Sequence, residues 1–200
     1  LHYPLRRQRQ MCIRDRLNGV WKFIYAPTIA ASIKDFYRID LPDSNWDTIT
    51  VPSNWEIQGF GEPIIRNIQY VFSSNPPYID VDNPVGTYRR TFTVPRNWQE
   101  REVFLHFGSI SGYARIYVNG QQVGMTKASK TPAEFNVTNY LKEGENLLAV
   151  QIYRWHDGSY MEDQDFWRLT GIERDVFLQA YPKLTIWDFF LKSSLDSTYK

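Results

Sequence analysis

RWHDGSYMEDQDFWRLTGIERDV, residues 154–176, follows directly on the run NLLAVQIY, residues 146–153, and the contrast between the two decides the fold. In the first run Leu148, Val150 and Ile152 share one face, which is the pattern of an antiparallel strand with one buried side. Beyond it the alternation stops. The charge there is too high for a buried strand and the rings are too many for a solvated loop, so these residues predict a loop with a special role.

The remaining pattern is also that of a β protein. Asn119-Gly120 is the strongest short hairpin signal in the chain, because both turn positions need positive φ. Short alternating runs bounded by turn residues, with almost no helical period, predict an all-β fold, an antiparallel jelly-roll β-sandwich with few short helical turns. The predicted strands are 20–25, 47–51, 87–94, 102–107, 113–118, 121–124, 134–137, 146–153 and 174–179.

Three segments divide the chain. Residues 1–16 have no strand pattern and are expected to be unstructured or foreign to the domain, which spans 17–182. Residues 183–200 are expected to begin a truncated second domain, since 184–191 (LTIWDFFL) are apolar on both faces. The long irregular segment 59–86 is too hydrophobic for a free linker and should pack on its own sandwich or on a neighbouring domain.

Composition narrows the class of protein. The chain has 200 residues, 42% of them hydrophobic, and no apolar run of the ~20 residues that a membrane helix needs. Residues 1–16 lack the apolar centre of a signal peptide, so none is expected, and the compartment stays open between cytoplasm and periplasm. A single cysteine, Cys12, excludes an internal disulfide and a cysteine-based zinc site. Residues 17–200 hold 18 basic and 21 acidic residues, a net −3, which argues against nucleic acid as a partner.

The passage 154–168 combines four carboxylates with four Trp, Tyr and Phe rings. A pyranose offers an apolar face to a ring and a rim of hydroxyls to fixed acceptors, so an aromatic cleft with convergent polar groups suits a sugar. The alternative is an ion-pair network that pins the loop to the sandwich. In that network three arginines pair with four acids: Arg154, Arg168 and Arg174 with Asp157, Glu162, Asp163 and Asp165.

Self-contained catalysis is not expected. None of the three histidines stands beside a suitable nucleophile. Glu162 and Asp165 are the nearest candidates for a retaining glycosidase pair, but the arginines around them would hold both ionised, whereas the acid partner needs a raised pKa. Residues 80–83 (DVDN) lack the glycine and glutamate spacing of a calcium loop.

Several motifs together are similar to one family. The chain resembles the N-terminal sugar-binding domain of the large β-galactosidases of glycoside hydrolase family 2, in the right order from about residue 17 to 190. The motifs are LNGVWKF (17–23), VPSNWEIQGFGEPIIRNIQY (51–70), NPPY (75–78), NPVGTYRRTF (83–92) and DGSYMEDQDFWRLTGIERDV (157–176).

The resemblance implies a jelly-roll sandwich followed by an immunoglobulin-like domain and a catalytic TIM barrel. The catalytic glutamates of the family lie in that barrel, so no catalytic residue is expected in this chain and the fragment alone should be inactive. Loops of the domain are implied to bind the galactosyl hydroxyls through Asn67 and Asp165. Asp165 is also implied to help hold a Na⁺ ion. Mg²⁺ is expected for the full-length enzyme, with ligands that this chain does not clearly supply.

The resemblance further implies partners: a β-galactoside such as lactose, the remaining domains of the same enzyme, and a homo-oligomer when full-length, with no nucleic acid and no membrane. Two alternatives stay open. A free-standing carbohydrate-binding module would bind galactose through Trp155, Tyr160 and Trp167. A purely structural domain would use the segment 59–86 for subunit contacts. Without the resemblance, Asn67 would be interpreted as a turn residue and Asp165 as a salt-bridge partner of Arg168.

Overall fold

A computed structural model describes residues 13–66, 70–162 and 165–198. The chain is almost entirely strand and loop, and the longest helix among the described residues is a four-residue 3-10 turn, too short to cross a membrane. The strands are β1 (Ile13–Arg16), β2 (Gly19–Ala26), β3 (Asp47–Val51), β4 (Ser53–Asn54), β5 (Ile64–Arg66), β6 (Val85–Thr93), β7 (Arg101–Phe107), β8 (Ile110–Ser111), β9 (Tyr113–Val118), β10 (Gln121–Thr126), β11 (Ala133–Asn136), β12 (Glu145–Tyr153), β13 (Phe166–Arg168), β14 (Gly171–Ile172) and β15 (Val176–Pro182).

Two antiparallel sheets form the body of a sandwich. One has four strands in the order β1-β15-β7-β11, and the other has six in the order β10-β9-β12-β6-β2-β3. Two small sheets, β13-β5 and β4-β14-β8, lie among the loops. The expected all-β antiparallel class is confirmed. The Asn119-Gly120 turn joins β9 to β10 with φ of 51° and 84°, as the hairpin signal requires.

The core lies between the two large sheets. On β7 every second residue is buried, which is the pattern of a strand with one face on the core. Burial of these side chains provides most of the favourable free energy of folding. The four-stranded sheet contributes Val103, Leu105, Phe107, Val176, Leu178 and Ala180, and the six-stranded sheet contributes Trp21, Phe23, Ile49, Tyr88, Ile116, Leu148, Val150 and Ile152.

The outer face of the six-stranded sheet is covered as well. Phe36, from the segment between β2 and β3, packs there against Tyr117 and Ala149. The guanidinium of Arg89 lies 3.0 Å from the Asp43 carboxylate and donates hydrogen bonds to two backbone carbonyls of the covering segment. β12 is therefore buried on both faces, which the alternation of Leu148, Val150 and Ile152 does not reveal.

The ends of the chain differ from the expectation. Residues 13–16, expected to lie outside the domain, form β1, which pairs with β15 from Ile13 opposite Ala180 to Arg16 opposite Phe177. That part of the boundary prediction is wrong, because an N-terminal segment can complete a sheet through backbone hydrogen bonds without an alternating sequence. Residues 1–12 lie outside the described residues.

Residues 184–191 form no strand, and their apolar side chains are exposed. Trp187 makes the main contact of this segment with the sandwich, 5.3 Å between ring centroids from both Phe104 and Tyr181. Within the described residues this segment has no strand to pair with. Its assignment to a second domain stays a prediction.

Candidate functional site

The candidate site lies where β12 leaves the sandwich and the chain enters 154–170. Arg154 donates its backbone N–H to the carbonyl of Pro84 at 3.0 Å. The Asn83 side chain then bonds both backbone groups of Trp155, at 2.7 and 2.9 Å. The exit from β12 is thus tied to the end of the segment 59–86, which brings two distant parts of the sequence together.

Rings from both segments form one aromatic cluster, made of Tyr70, Phe72, Trp155 and Tyr160. Phe72 lies 5.7 Å from Trp155 and 4.8 Å from Tyr160 between ring centroids, both edge-on. The Tyr160 hydroxyl donates to a backbone carbonyl at 2.6 Å, and the Tyr70 hydroxyl donates to the Tyr160 carbonyl at 2.7 Å. The segment 59–86 therefore packs on its own sandwich.

The cluster corrects one expectation for the carbohydrate-binding module. Trp155 is buried, with the Arg154 guanidinium 5.0 Å from its ring centroid. The Tyr160 hydroxyl is hydrogen-bonded to the backbone carbonyls of residues 73 and 78. Of the three rings predicted to meet a sugar, Trp167 is the one that presents much of its surface, being 48% exposed.

Two short strands pair the residues that precede Asn67 with the residues that follow Asp165. β5 pairs antiparallel with β13, and Arg66 lies opposite Phe166. Asp165 directly precedes Phe166, and its side chain is exposed. Asn67 directly follows Arg66 and lies outside the described residues. Arg66 and Phe166 are one hundred positions apart in the sequence, yet they are neighbours across one antiparallel ladder.

A buried acid and a buried arginine fix the far end of β13. The carboxylate of Glu56 accepts the Thr170 backbone N–H at 2.9 Å and lies 3.7 Å from the Arg154 guanidinium. Arg154 in turn donates to the Arg168 carbonyl at 2.6 Å. Burial raises the pKa of the Glu56 carboxyl, although the Thr170 hydrogen bond and the Arg154 charge act to lower it.

A second acid closes the base of the loop that holds Asp165. Glu162 lies 3.4 Å from His156 on one oxygen and 3.4 Å from Arg168 on the other. Burial by itself would raise the pKa of the Glu162 carboxyl, but the neighbouring side chains of His156, Ser129 and Arg168 outweigh it and lower the pKa. A carboxyl held ionised in this way does not suit the role of a proton donor.

Asp157 has a different partner from those the sequence suggested. Both of its carboxylate oxygens accept hydrogen bonds from Lys127, at 2.7 and 2.9 Å. Of the predicted pairs between arginines and acids, Arg168 with Glu162 is confirmed, whereas the partner of Arg154 is Glu56. The ion-pair network is therefore present, but two of its links reach elements far along the chain.

The described surface beside Asp165 has little room for a ligand. One cavity next to Trp155 and Arg168 holds about 10 Å³, and a second, next to Trp167 and Thr170, also holds about 10 Å³. Such a volume is about that of one water molecule. A larger cavity of about 420 Å³ lies at the opposite end of the sandwich, beside Trp98 and Leu141.

Metal ligands are sparse. Within residues 13–66, 70–162 and 165–198, no three His, Cys, Asp or Glu side chains gather as a metal site. Asp165 is an exposed carboxylate, and carboxylate oxygens are hard donors that suit hard cations.

Sequence reasoning missed Glu56, Lys127 and Ser129 as supports of the site. Each acts on a residue between 30 and 114 positions away, so no local pattern could identify them. Glu56 offered one weak signal, an acid in the otherwise apolar NWEIQGF run (54–60), where a buried charge needs a partner.

An exposed acid and an exposed aromatic ring at one end of an antiparallel sandwich suit a domain that binds carbohydrate. The comparisons with known proteins agree. The family model "Glycosyl hydrolases family 2, sugar binding domain" matches residues 14–182. The chain therefore belongs to that family.

Curated relatives are similar along nearly the whole chain. Proteins named "Beta-galactosidase" from Priestia megaterium and Vibrio cholerae are 43% and 45% identical over 92% and 94% of this chain. The chain spans only 18% of the length of each.

Among solved structures, a Bacteroides uniformis β-glucuronidase matches 86% of this chain and 18% of its own, with a TM-score of 0.66 and 27% identity. A β-glucuronidase from an uncultured Clostridium species matches 87% of this chain and 30% of its own, with a TM-score of 0.66 and 28% identity.

Proposed function

We propose that this chain is the sugar-binding domain of a retaining β-galactosidase, which hydrolyses terminal β-D-galactose residues with catalytic residues that lie outside the chain. Relatives named "Beta-galactosidase" at 43–45% identity support galactose over glucuronate, because the β-glucuronidase structures are only 27–28% identical. In this proposal the domain supplies substrate-binding residues and no catalytic one.

The pairing of β5 with β13 is the observation that carries the proposal. It places the residue before Asn67 opposite the residue after Asp165. An amide that donates and accepts, next to a carboxylate that accepts, can hold several hydroxyls of one sugar ring. The exposed ring of Trp167 stands on the same short strand and can meet an apolar sugar face.

The small cavities favour a shared pocket over a free-standing binding module. The two cavities of about 10 Å³ beside Trp155 and Trp167 cannot enclose a pyranose. A sugar held by two loop residues on an open surface would not offset the entropy lost on association. The pocket is completed in this proposal by a TIM barrel, with the loops of 59–70 and 162–168 reaching over its mouth.

In such an enzyme, contacts with the non-reacting hydroxyls raise the rate when they are stronger in the transition state than in the ground state. The supports of Asp165, namely Glu162 with Arg168 and Glu56 with Thr170, hold the loop in one position before the sugar arrives. Preorganisation of this kind reduces the entropy cost of binding.

Asp165 is also proposed as one ligand of a Na⁺ ion, whose other ligands come from outside this chain. The ion, when bound, offers a hydroxyl of the sugar an additional electrostatic contact. A Mg²⁺ requirement, lactose as substrate and a homo-oligomeric full-length enzyme are part of the same proposal.

The test is made in the full-length enzyme with a nitrophenyl β-galactoside. Changing Asp165→Ala, and separately Asn67→Ala, should lower kcat/KM by about 100-fold or more, because a charged or amide partner is lost inside a closed pocket. Glu145→Ala is the matched control, since this exposed acid lies at the opposite end of β12. Unchanged kinetics in Asp165→Ala would remove the role proposed for it, and faster turnover of a β-glucuronide than of the β-galactoside would overturn the substrate.

A further inference from the structure

The segment 127–131, between β10 and β11, contacts the acid-rich loop at three successive points. Lys127 donates to both oxygens of Asp157, at 2.7 and 2.9 Å. The Ser129 side chain lies beside the Glu162 carboxyl and helps to lower its pKa. Lys130 places its ammonium 3.7 Å from the centroid of the Phe166 ring.

The segment is itself fixed to the sandwich. The Lys130 backbone N–H donates to the Ile110 carbonyl at 3.0 Å, and the Gly112 N–H donates to the Ser129 hydroxyl oxygen at 3.0 Å. Thr131 closes a turn by donating its hydroxyl to the Ala128 carbonyl at 2.7 Å. The contacts to the loop thus start from a rigid base.

Lys130 occupies an unusual backbone conformation. Its φ is +67°, in the left-handed region that few residues other than glycine, asparagine and aspartate adopt. A lysine there is strained, and observed strain of this kind is concentrated where a side chain has a positioning role. The left-handed turn directs the Lys130 side chain onto Phe166, the residue directly after Asp165.

We propose that Lys130 is a positioning residue for the sugar-binding end of the domain, acting on Asp165 through the cation–π contact with Phe166. Phe166 begins β13, so fixing its ring fixes the backbone from which the Asp165 side chain projects. Lys127 and Ser129 contact Asp157 and Glu162, which precede Asp165 in the chain. This inference rests on the function proposed for Asp165.

The main test uses two variants whose residues tolerate the left-handed backbone conformation of Lys130. Lys130→Gly and Lys130→Asn both tolerate a φ of +67° and both remove the ammonium. Neither should lower the urea midpoint of unfolding, because each relieves the backbone strain at φ +67°, while kcat/KM for the β-galactoside in the full-length enzyme falls by about 3- to 10-fold. Lys130→Arg keeps a cation over the ring and should restore kcat/KM.

Coupling to Phe166 separates positioning from a general structural effect. Phe166→Leu should lower kcat/KM by a similar factor, and the double variant with Lys130→Gly should be no worse than either single one. Lys142→Gly, at the opposite end of the sandwich, is the matched control and should change nothing. Full additivity of the two losses, or wild-type kinetics in Lys130→Gly, would overturn the proposal.

A second readout does not depend on activity. In the 200-residue chain with ¹³C-labelled lysine, the ring current of Phe166 should shift the Lys130 ε-methylene protons upfield, and Phe166→Leu should remove the shift. An unshifted signal would overturn the contact itself. A shifted signal together with unchanged activity in Asp165→Ala would instead refute the role of Asp165 and leave the contact intact.

Discussion

The sandwich body and the loop end of the domain hold their shape by different interactions. In the body, Phe23, Leu148 and Ile152 are fully buried among other apolar side chains. At the loop end, polar contacts are prominent, such as that of buried Glu56 with Thr170 and that of half-buried Glu162 with His156. Apolar burial is non-directional, whereas each hydrogen bond or ion pair requires one particular partner. The body therefore specifies a scaffold, and the loop end specifies the position of a few side chains.

The largest effect should come from the body. Phe23→Ala removes a ring that packs 4.8 Å from both Phe60 and Tyr88 between centroids, at the centre of the core. It should lower the free energy of unfolding by about 3–5 kcal/mol. Urea denaturation of the chain measures this, and a loss below about 1 kcal/mol would mean that the core can collapse around the gap.

At the loop end the corresponding change is Glu56→Ala. It leaves the Thr170 N–H without its acceptor and Arg154 without its nearest acid, and should cost about 3 kcal/mol. Glu56→Gln keeps an acceptor oxygen, and since burial raises the pKa of Glu56 the neutral side chain is well tolerated there. We expect Glu56→Gln to cost clearly less. Equal losses for the two variants would show that the charge, and not the hydrogen bond, is what matters.

The two glutamates should respond to pH in opposite directions. The pKa of Glu162 is lowered from its ordinary 4.5, so its contribution to stability is present above pH 4.5 and lost as the pH falls through the folded-state pKa. The pKa of Glu56 is raised, so its contribution is full below pH 4.5 and lost as the pH rises through its folded-state pKa. Urea midpoints of Glu162→Gln and Glu56→Gln relative to the wild type, from pH 3.5 to 7.5, should therefore change with opposite slopes. Slopes of the same sign for the two variants would contradict the opposite pKa shifts of Glu162 and Glu56.

The smallest effect should come from the exposed pair of Lys127 and Asp157. Their side chains are 43% and 46% exposed, so Lys127→Ala should cost about 0.5 kcal/mol, with the loss reduced further at 1 M salt. A loss comparable with that of Glu56→Ala would mean that this pair belongs to the structural network of the loop end.

The same contrast explains what the sequence could predict. The strands Asp47–Val51 and Tyr113–Val118 are found at their predicted bounds, because alternation and turn residues act over a few positions. β5 and β13 were not predicted, since a three-residue strand has no period and exists only through its distant partner. The partner of Arg154 is likewise 98 residues away, while the acids close to it in sequence bond elsewhere. The role of Asp165 came from a motif resemblance and not from any local pattern.

The central claim is that two loops of this sandwich meet one sugar from the side. The most direct measurement is a crystal structure of the full-length enzyme with galactose bound. The account predicts an Asp165 carboxylate oxygen and the Asn67 amide both within about 3.2 Å of hydroxyls of the same ring. Galactose bound in the pocket with either side chain out of hydrogen-bonding reach would contradict it.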